Sequence, residues 1–402
     1  MIPVLTSGTA TQISPSNDSP SPRAEAHWVR DPRVLLVTQS SNWATGTGVY
    51  AHRVRDALSA RGVTARLVKL SRSFSETDAA ALRTAIDELD PHVVHVLQCR
   101  PRHLLRLSGL RDERPLVLTV HNLPPQECKI RFGYSWNRAY LLARNARYAP
   151  VAAAIRAALR LRPPTAVVCD SEPVRRQVAR ILPSGTHLFQ CPLGPSRGDS
   201  PPPADERGEP RSPVTQLVTV GAFMFHKGIH RLIPVMARLR RDGLDCRLDV
   251  LGRRRDPLYF DFVAGLVARH GLEDTVRLLP DVADDAIEAA LQRAQIYVQP
   301  SLEEGFCLTF LDAALKVPCV IGTDVGAIPE IVALRADSAS CVPRESQVAL
   351  EHSIRRHLKR PAPPPVSQRV RRILSARFSW SAAGTRLLRI YGHVAATRRR
   401  RW

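Results

Sequence analysis

The feature that most limits what this chain can become is an alternation that runs twice. Short apolar runs rich in β-branched residues alternate with longer stretches of helical periodicity, a βαβ rhythm that predicts parallel sheets covered by helices. RVLLVTQ (Arg33–Gln39) reads as a buried strand, followed by a loop with Gly46 and Gly48 and a helix through about Ala60. TARLVKL, HVVHVLQ after the Asp90–Pro91 turn, PLVLTVHN (Pro115–Asn122) and AVVCDS (Ala166–Ser171) continue one doubly wound parallel sheet. The rhythm breaks at PSRGDSPPPADERGEPRSP (Pro195–Pro213), which has the composition of a linker. It restarts with QLVTVGAF, a helix over Ile229–Arg241, RLDVLG (Arg247–Gly252), a helix from about Asp256 to His270, VRLLP, a short helix near Asp284–Arg293, IYVQPS and PCVIGTD. A last helix, about Ser379–Ala396, comes after the second sheet pattern has ended. The expected organisation is therefore a tail over residues 1–31, an α/β domain over 32–194, a linker over 195–213, a second α/β domain over 214–378, a helix over 379–397 and a basic tail over 398–402.

Composition narrows the function classes. With 402 residues, 44% of them hydrophobic and 24% charged, the chain can bury a sizeable core. There are 58 Lys and Arg against 37 Asp and Glu, a net charge of +21. No acidic residue occurs from Cys128 to Cys169, and none from His352 to Trp402, a stretch with 14 Lys or Arg. Such surfaces attract polyanions or an anionic membrane, although drift toward Arg gives the same totals. Aromatic interleaving, zinc spacing and an RNA-binding module pattern are all missing, so nucleic acid is not an expected partner. The eight Cys never come closer than twelve positions, which reads as buried reduced thiols rather than zinc ligands. No Asp-x-Asp triplet occurs, and metal independence is expected. No run reaches 18 uninterrupted apolar residues, and the first 30 lack a signal-peptide pattern. The expected location is cytoplasmic, with peripheral contact on the inner face of the plasma membrane. Around Arg131–Arg162, Leu141, Leu142, Ile155 and Leu159 sit among seven Arg, a basic amphipathic pattern suited to a membrane surface or to a solvated helix.

Ligands of open α/β sheets bind beyond the carboxyl ends of the strands, so the residues after strands carry the chemistry. In PSLEEGFCLTFLDAAL (Pro300–Leu315), Gly305 permits a close backbone approach. A helix from about Phe306 would present the N–H groups near Cys307, Leu308 and Thr309 to a diphosphate. Glu304 and Asp312, eight positions apart, would share one helix azimuth and accept hydrogen bonds from sugar and ribose hydroxyls. An acid that helps a helix dipole, plus a solvated Asp, fits the same spacing. In VGAFMFHKGIHRLI (Val220–Ile233), Lys227 before Gly228 puts an ammonium at a helix start, where it calls for an anion such as phosphate; a solvated Lys is the plain alternative. The Gly46–Gly48 loop lacks the third Gly of a dinucleotide fingerprint. His121, at the end of LTVHN, faces the same cleft and fits a sugar contact, proton transfer or a structural hydrogen bond. His95 and His226 are weaker candidates.

These pieces, taken in order, resemble the GT-B glycosyltransferases and, within them, glycosyltransferase family 4, over about residues 33–395. The resemblance rests on the Gly46–Gly48 loop, DPHVVHV, LTVHN, VVCDSEPVRRQV, PLG (Pro192–Gly194), VGAFMFHKG, YVQPSLEEGFCLTFLDAA and DVGAIPEIV (Asp324–Val332). It implies two Rossmann-like domains facing a central cleft, an N-terminal one for the acceptor and a C-terminal one for a nucleotide-sugar donor. The final helix would cross back to the first domain. It further implies a retaining, sugar-nucleotide-dependent hexosyltransferase needing no cofactor, with a glycan, lipid-linked or cell-envelope acceptor. Glu304 and Asp312 would occupy the ends of the family's E-x7-E element, on donor sugar and ribose. Lys227 would meet the phosphates, His121 would lie near the reacting sugar, and Gly46 and Gly48 would lie near acceptor or diphosphate. The chain also departs from the pattern. Ala222 replaces the usual Arg, Asp312 is shorter than Glu, AALKVP lacks a Gly, and Ala327 replaces the second Gly before Ile328. Arg253, Arg254 or Arg255 are candidates to replace the lost cation. A catalytically weak homologue that binds nucleotide or serves as a partner subunit is the alternative reading.

Overall fold

A computed structural model of the chain describes residues 30–39, 46–71, 73–98, 101–107, 109–110, 114–122, 138–196, 214–335, 338–360 and 364–399. The N-terminal lobe contains β1 (Arg33–Thr38), α1 (Gly46–Ser59), β2 (Thr64–Lys69), α2 (Glu76–Leu89), β3 (Val93–Val96) and α3 (Pro101–Leu107). It continues with β4 (Leu116–Val120), α4 (Arg138–Leu161), β5 (Ala166–Cys169), α5 (Glu172–Ala179) and β6 (His187–Gln190). The six strands run parallel in the order β2-β1-β3-β4-β5-β6. Strands β3, β4 and β5 are buried along their whole length, as expected of near-continuous apolar runs covered on both faces.

The C-terminal lobe begins with β7 (Thr215–Val220), α6 (Leu232–Arg241), β8 (Cys246–Gly252), α7 (Pro257–Arg269), β9 (Val276–Pro280), α8 (Asp284–Arg293) and β10 (Ile296–Gln299). Then come α9 (Leu308–Lys316), β11 (Cys319–Thr323), α10 (Ile328–Ala333), β12 (Ala339–Val342) and α11 (Gln347–Leu358). Its strand order is β12-β11-β10-β7-β8-β9, again all parallel. Order reverses between β7 and β10, so the crevice where such sheets take ligands opens between the loops after those two strands. Helices α12 (Gln368–Arg377) and α13 (Trp380–Arg399) end the fold. Helix α13 lies on α1: Arg61 donates from Nη2 to the Ser381 hydroxyl at 2.8 Å and from Nε to the Thr385 hydroxyl at 3.1 Å. At Gly384 a Cβ would lie 3.0 Å from the Ala57 carbonyl, so the two helices touch at the backbone. One apolar core joins the lobes, running from Tyr50 and Leu58 through Phe306 and Phe310 to Trp380 and Tyr391.

The lobes are also clasped by Glu330. Its carboxylate accepts from the Glu172 backbone N–H at 2.9 Å, from Gln190 Nε2 at 2.9 and 3.1 Å, and from Arg377. Hydrogen bonds to a charged group are each worth about 1.5–3 kcal/mol, so this clasp holds the closed arrangement more firmly than neutral contacts would.

Several expectations need correction. Gly46 and Gly48 form the first turn of α1 rather than a loop, and Gly48 is buried. The helix expected over Ile229–Arg241 starts at Leu232, because Gly228 takes a left-handed φ of 68° and residues Ile229–Arg231 close a 3-10 turn. The patterns of β6 and β12 were too short to read as strands. Of the linker, only Pro195 and Ser196 are described; 197–213, like 1–29 and 400–402, lie outside the described residues. So do 131–137 of the basic amphipathic stretch, whose remainder is α4 with Pro150 inside it. Among the described residues no helix is long and apolar enough to cross a membrane.

Candidate functional site

Two glycines let the loop after β7 pack at backbone distance, one against the loop after β10 and one against the end of β8. At Gly228 a Cβ would lie 2.1 Å from the Pro300 carbonyl, and at Gly252 it would lie 2.0 Å from the Gly221 carbonyl. Neither position tolerates a side chain, and both also have positive φ. Leu302 N–H donates to the His226 carbonyl at 2.7 Å and ties the loops further. This packing brings Lys227 Nζ to 2.8 and 2.9 Å from the two Glu304 oxygens. The Ser301 hydroxyl donates to Glu304 Oε1 at 2.7 Å and accepts from Gln299 Nε2 at 2.8 Å. Gln299 in turn accepts from the buried Tyr297 hydroxyl at 2.5 Å. Burial alone would raise the Glu304 pKa, but the Lys227 charge and its hydrogen bonds overcome it and hold the carboxyl below its ordinary range. Burial likewise works against the Lys227 ammonium, and Glu304 more than restores it. The anion that Lys227 requires is thus supplied by Glu304. Lys227 also does not start an α-helix; it closes a 3-10 turn over Phe225–Lys227.

The expectation that Glu304 and Asp312 share a helix face is wrong. Cys307 has φ 81° and is the N-cap of α9, so the helix starts at Leu308 and Glu304 lies in the preceding loop. The helix cannot extend back to Phe306 because Gly305 is pressed against the other lobe: a Cβ there would lie 2.0 Å from the His121 carbonyl. The Ser171 hydroxyl also donates to the Gly305 carbonyl at 2.6 Å. Phe306 and Cys307 are buried, and Phe306 packs edge-on against Phe378 at 5.9 Å. The N–H groups of Leu308 and Thr309 open the helix, where no intrahelical acceptor exists for them. Asp312 is buried and accepts from the Ser196 backbone N–H at 2.9 Å and from the Ser196 hydroxyl. Burial raises its pKa despite those bonds. In this state Asp312 grips the chain leaving the first lobe. Leu308 Cδ1 would be 3.8 Å from a Cβ at Gly46, so the N-termini of α1 and α9 face each other across the seam.

On the first lobe, His121 follows β4 and Asp170 follows β5, adjacent strands in register. His121 Nδ1 and Asp170 Oδ2 are 2.6 Å apart. Tyr50 of α1 stands edge-on to the imidazole, with centroids 4.5 Å apart and planes at 86°. The Tyr50 hydroxyl meets the Thr119 hydroxyl at 2.9 Å, which meets His95 Nε2 at 2.8 Å, while His95 Nδ1 meets the Tyr391 hydroxyl of α13 at 2.6 Å. Burial pushes the His95 pKa down to about 3, so this ring is neutral and structural. His226 is near enough to Glu304 to help stabilise the carboxylate. Arg254 does not replace the cation missing at Ala222: it pairs with Asp261 at 2.9 Å and lies over the Phe260 ring at 4.6 Å.

Sequence reasoning passed over Asp170, Ser171, Ser196 and Glu330. The Asp-Ser pair after a buried strand, beside the strand ending in His121, was the available signal for the first two. Nothing local marks Ser196, since its partner is far along the chain.

Two parallel Rossmann-like lobes, facing each other at their carboxyl edges with the last helix returned to the first lobe, define the GT-B class of fold. Residues 205–374 match the family described as glycosyl transferases group 1. Sucrose-phosphate synthase from Thermosynechococcus elongatus superimposes with a TM-score of 0.72 at 18% identity, covering 91% of this chain and 100% of that one. Anabaena HepE in complex with UDP and glucose gives a TM-score of 0.64 at 15% identity, covering 89% and 98%. By sequence, the chain is 28% identical to Mycobacterium tuberculosis glycogen synthase over 183 residues, 45% of this chain and only 43% of that protein. It is 25% identical to the MMP alpha-(1->4)-mannosyltransferase of Mycolicibacterium hassiacum over 328 residues, 81% of this chain and 75% of that protein.

Proposed function

We propose that the protein is a glycosyltransferase that moves a hexose from a nucleotide-diphosphate sugar to a hydroxyl of a glycan, lipid-linked or cell-envelope acceptor, with retention of anomeric configuration. The observation that carries this reading is the Lys227–Glu304 pair, buried where strand order reverses in the second lobe and closed over by His121 and Gly305. Donor phosphates entering there would take the ammonium from Glu304. The freed carboxylate would then accept hydrogen bonds from hydroxyls of the donor sugar. The N–H groups of Leu308 and Thr309, with the dipole of α9, would meet the phosphate oxygens as leaving-group charge develops. His121 would face the reacting sugar from the acceptor lobe. Names of relatives support sugar transfer: one is a glycogen synthase, another a mannosyltransferase. With Lys227 and backbone donors carrying the phosphate charge, turnover is proposed to be independent of divalent metal. The basic surface is proposed to bring the enzyme to an anionic membrane face.

Asp312 favours a second reading. Its occupation by Ser196, together with Ala222, fits a homologue that binds nucleotide but turns over weakly or assists a partner. A panel of UDP-, GDP- and ADP-sugars with glycan and lipid-linked acceptors separates the cases, read by nucleotide release and by NMR of the anomeric product. Transfer with retention, undiminished by EDTA, is expected. Calorimetric binding of UDP or GDP without turnover on any acceptor supports the second reading, and the absence of both binding and turnover refutes the two together.

A further inference from the structure

Among the buried polar atoms of the first lobe that make no hydrogen bond, two belong to one pair: His121 Nε2 and Asp170 Oδ1. Buried donors and acceptors are almost always satisfied, so two orphans in one dyad at a ligand seam point to a group that arrives later. The dyad stands at the cleft. His121 presses its carbonyl on Gly305, the residue after Glu304, and Ser171, the residue after Asp170, bonds the same glycine. The imidazole is not free to choose its orientation. Asp170, 2% exposed, holds Nδ1 at 2.6 Å, and the Tyr50 ring blocks one side edge-on.

We propose that Asp170 is a positioning residue for the transfer reaction: through Nδ1 it keeps His121 protonated and turned so that Nε2–H is the hydrogen-bond donor offered to the donor sugar or its phosphate. This rests on the seam being the donor site. A second donor there matters because Lys227 is matched by Glu304, and position 222 is an alanine. The titratable groups around His121 are few. Asp170 comes from the end of β5, His95 from β3 and Tyr50 from α1, and the facing loop of the second lobe touches it through the Gly305 backbone. His95 is held neutral by burial, with its pKa near 3, and the Tyr50 hydroxyl is raised, so both are uncharged near neutral pH. For His121, burial opposes the charged form, but the Asp170 charge, its hydrogen bond and the nearby Leu97 backbone overcome it, and the pKa lies above the ordinary 6.5. The imidazolium is therefore present below that raised value and lost as pH rises through it.

The test is an NMR titration of the 15N-histidine-labelled full chain, with the His121 signal assigned by its loss in His121→Gln. The wild-type ring is expected to titrate above 6.5. In Asp170→Asn, which keeps the shape and removes the charge, its midpoint should fall below that of the wild type by a unit or more, lowering the charged fraction on the alkaline side by about tenfold. Asp170→Glu should restore the higher midpoint. In nucleotide-release assays, the alkaline limb of the Asp170→Asn profile should shift the same way. Added to His121→Gln, Asp170→Asn should cost nothing further. An unchanged His121 midpoint in Asp170→Asn overturns the proposal, as does an equal loss of activity in both backgrounds. The ring titration needs no substrate, so a wild-type chain that transfers no sugar overturns the donor-site reading while the midpoints still decide the dyad.

Discussion

Replacing Lys227 by Met tests whether the seam is the dry, charged pocket described above. The substitution keeps the unbranched stem of the side chain and removes the ammonium, which now lies 2.8 and 2.9 Å from the Glu304 oxygens. Glu304 has an 8% exposed side chain, so its charge would be left in a low-dielectric setting with little water. Breaking a buried pair in this way costs about 3–5 kcal/mol. The lower end is expected, near 3 kcal/mol, because the Ser301 hydroxyl still donates at 2.7 Å. The sign with pH follows from the two pKa directions. In the wild type Glu304 is held below its unfolded value, so its contribution is fully present above about pH 4.5 and is lost only below that. In the variant, burial outweighs the remaining Ser301 bond and raises the Glu304 pKa, so the penalty is full at high pH and is relieved as the carboxyl takes a proton. Urea unfolding followed by far-UV circular dichroism at pH 8 and pH 5 reads the difference. The deficit should be near 3 kcal/mol at pH 8 and about 1–2 kcal/mol at pH 5, where lost hydrogen bonds remain. The double variant Lys227→Met/Glu304→Gln should recover most of the loss, since no unpaired charge is left. A deficit below about 1 kcal/mol, or one that does not depend on pH, would show that water already screens the pair and that the reasoning fails.

Gly305→Ala places a methyl 2.0 Å from the His121 carbonyl, where ordinary contact needs more than about 3.4 Å, so the lobes must part by over 1 Å and the Ser171 bond must break. Small-angle X-ray scattering should show a more open particle and nucleotide release should fall at least about tenfold; wild-type values in both measurements would mean that the closed seam is not the working state. The membrane proposal predicts that the protein floats with anionic but not neutral liposomes at low salt, and that moderate salt weakens the attachment. Equal partitioning with both vesicle types would defeat it.

Much of the fold was legible because parallel sheets advertise themselves. A strand buried on both faces needs an unbroken apolar run, and RVLLVT, LVLTV and CVIGT each supply one. Helix starts with a side-chain cap were legible too, as at Asp256, which accepts from Tyr259 N–H at 3.2 Å ahead of Pro257. The candidate site was only half legible. Lys227, Glu304, Gly305 and His121 were found because each follows a strand. The shared helix face of Glu304 and Asp312 was misread, because periodicity assumes a helix and Cys307 interrupts one with a left-handed φ of 81°.

By itself the sequence determined two parallel α/β lobes, the break between them and the set of polar residues at the strand ends, because hydrophobic periodicity and turn chemistry act over a few neighbouring residues. Only the tertiary structure decided who pairs with whom: Lys227 with Glu304, His121 with Asp170, Asp312 with Ser196 and Glu330 with Gln190. Those partners lie between 49 and 140 positions apart. A carboxylate in the sequence therefore carries no sign of whether it will meet a cation, a hydroxyl or a substrate until strand order and lobe closure bring one of them within about 3 Å.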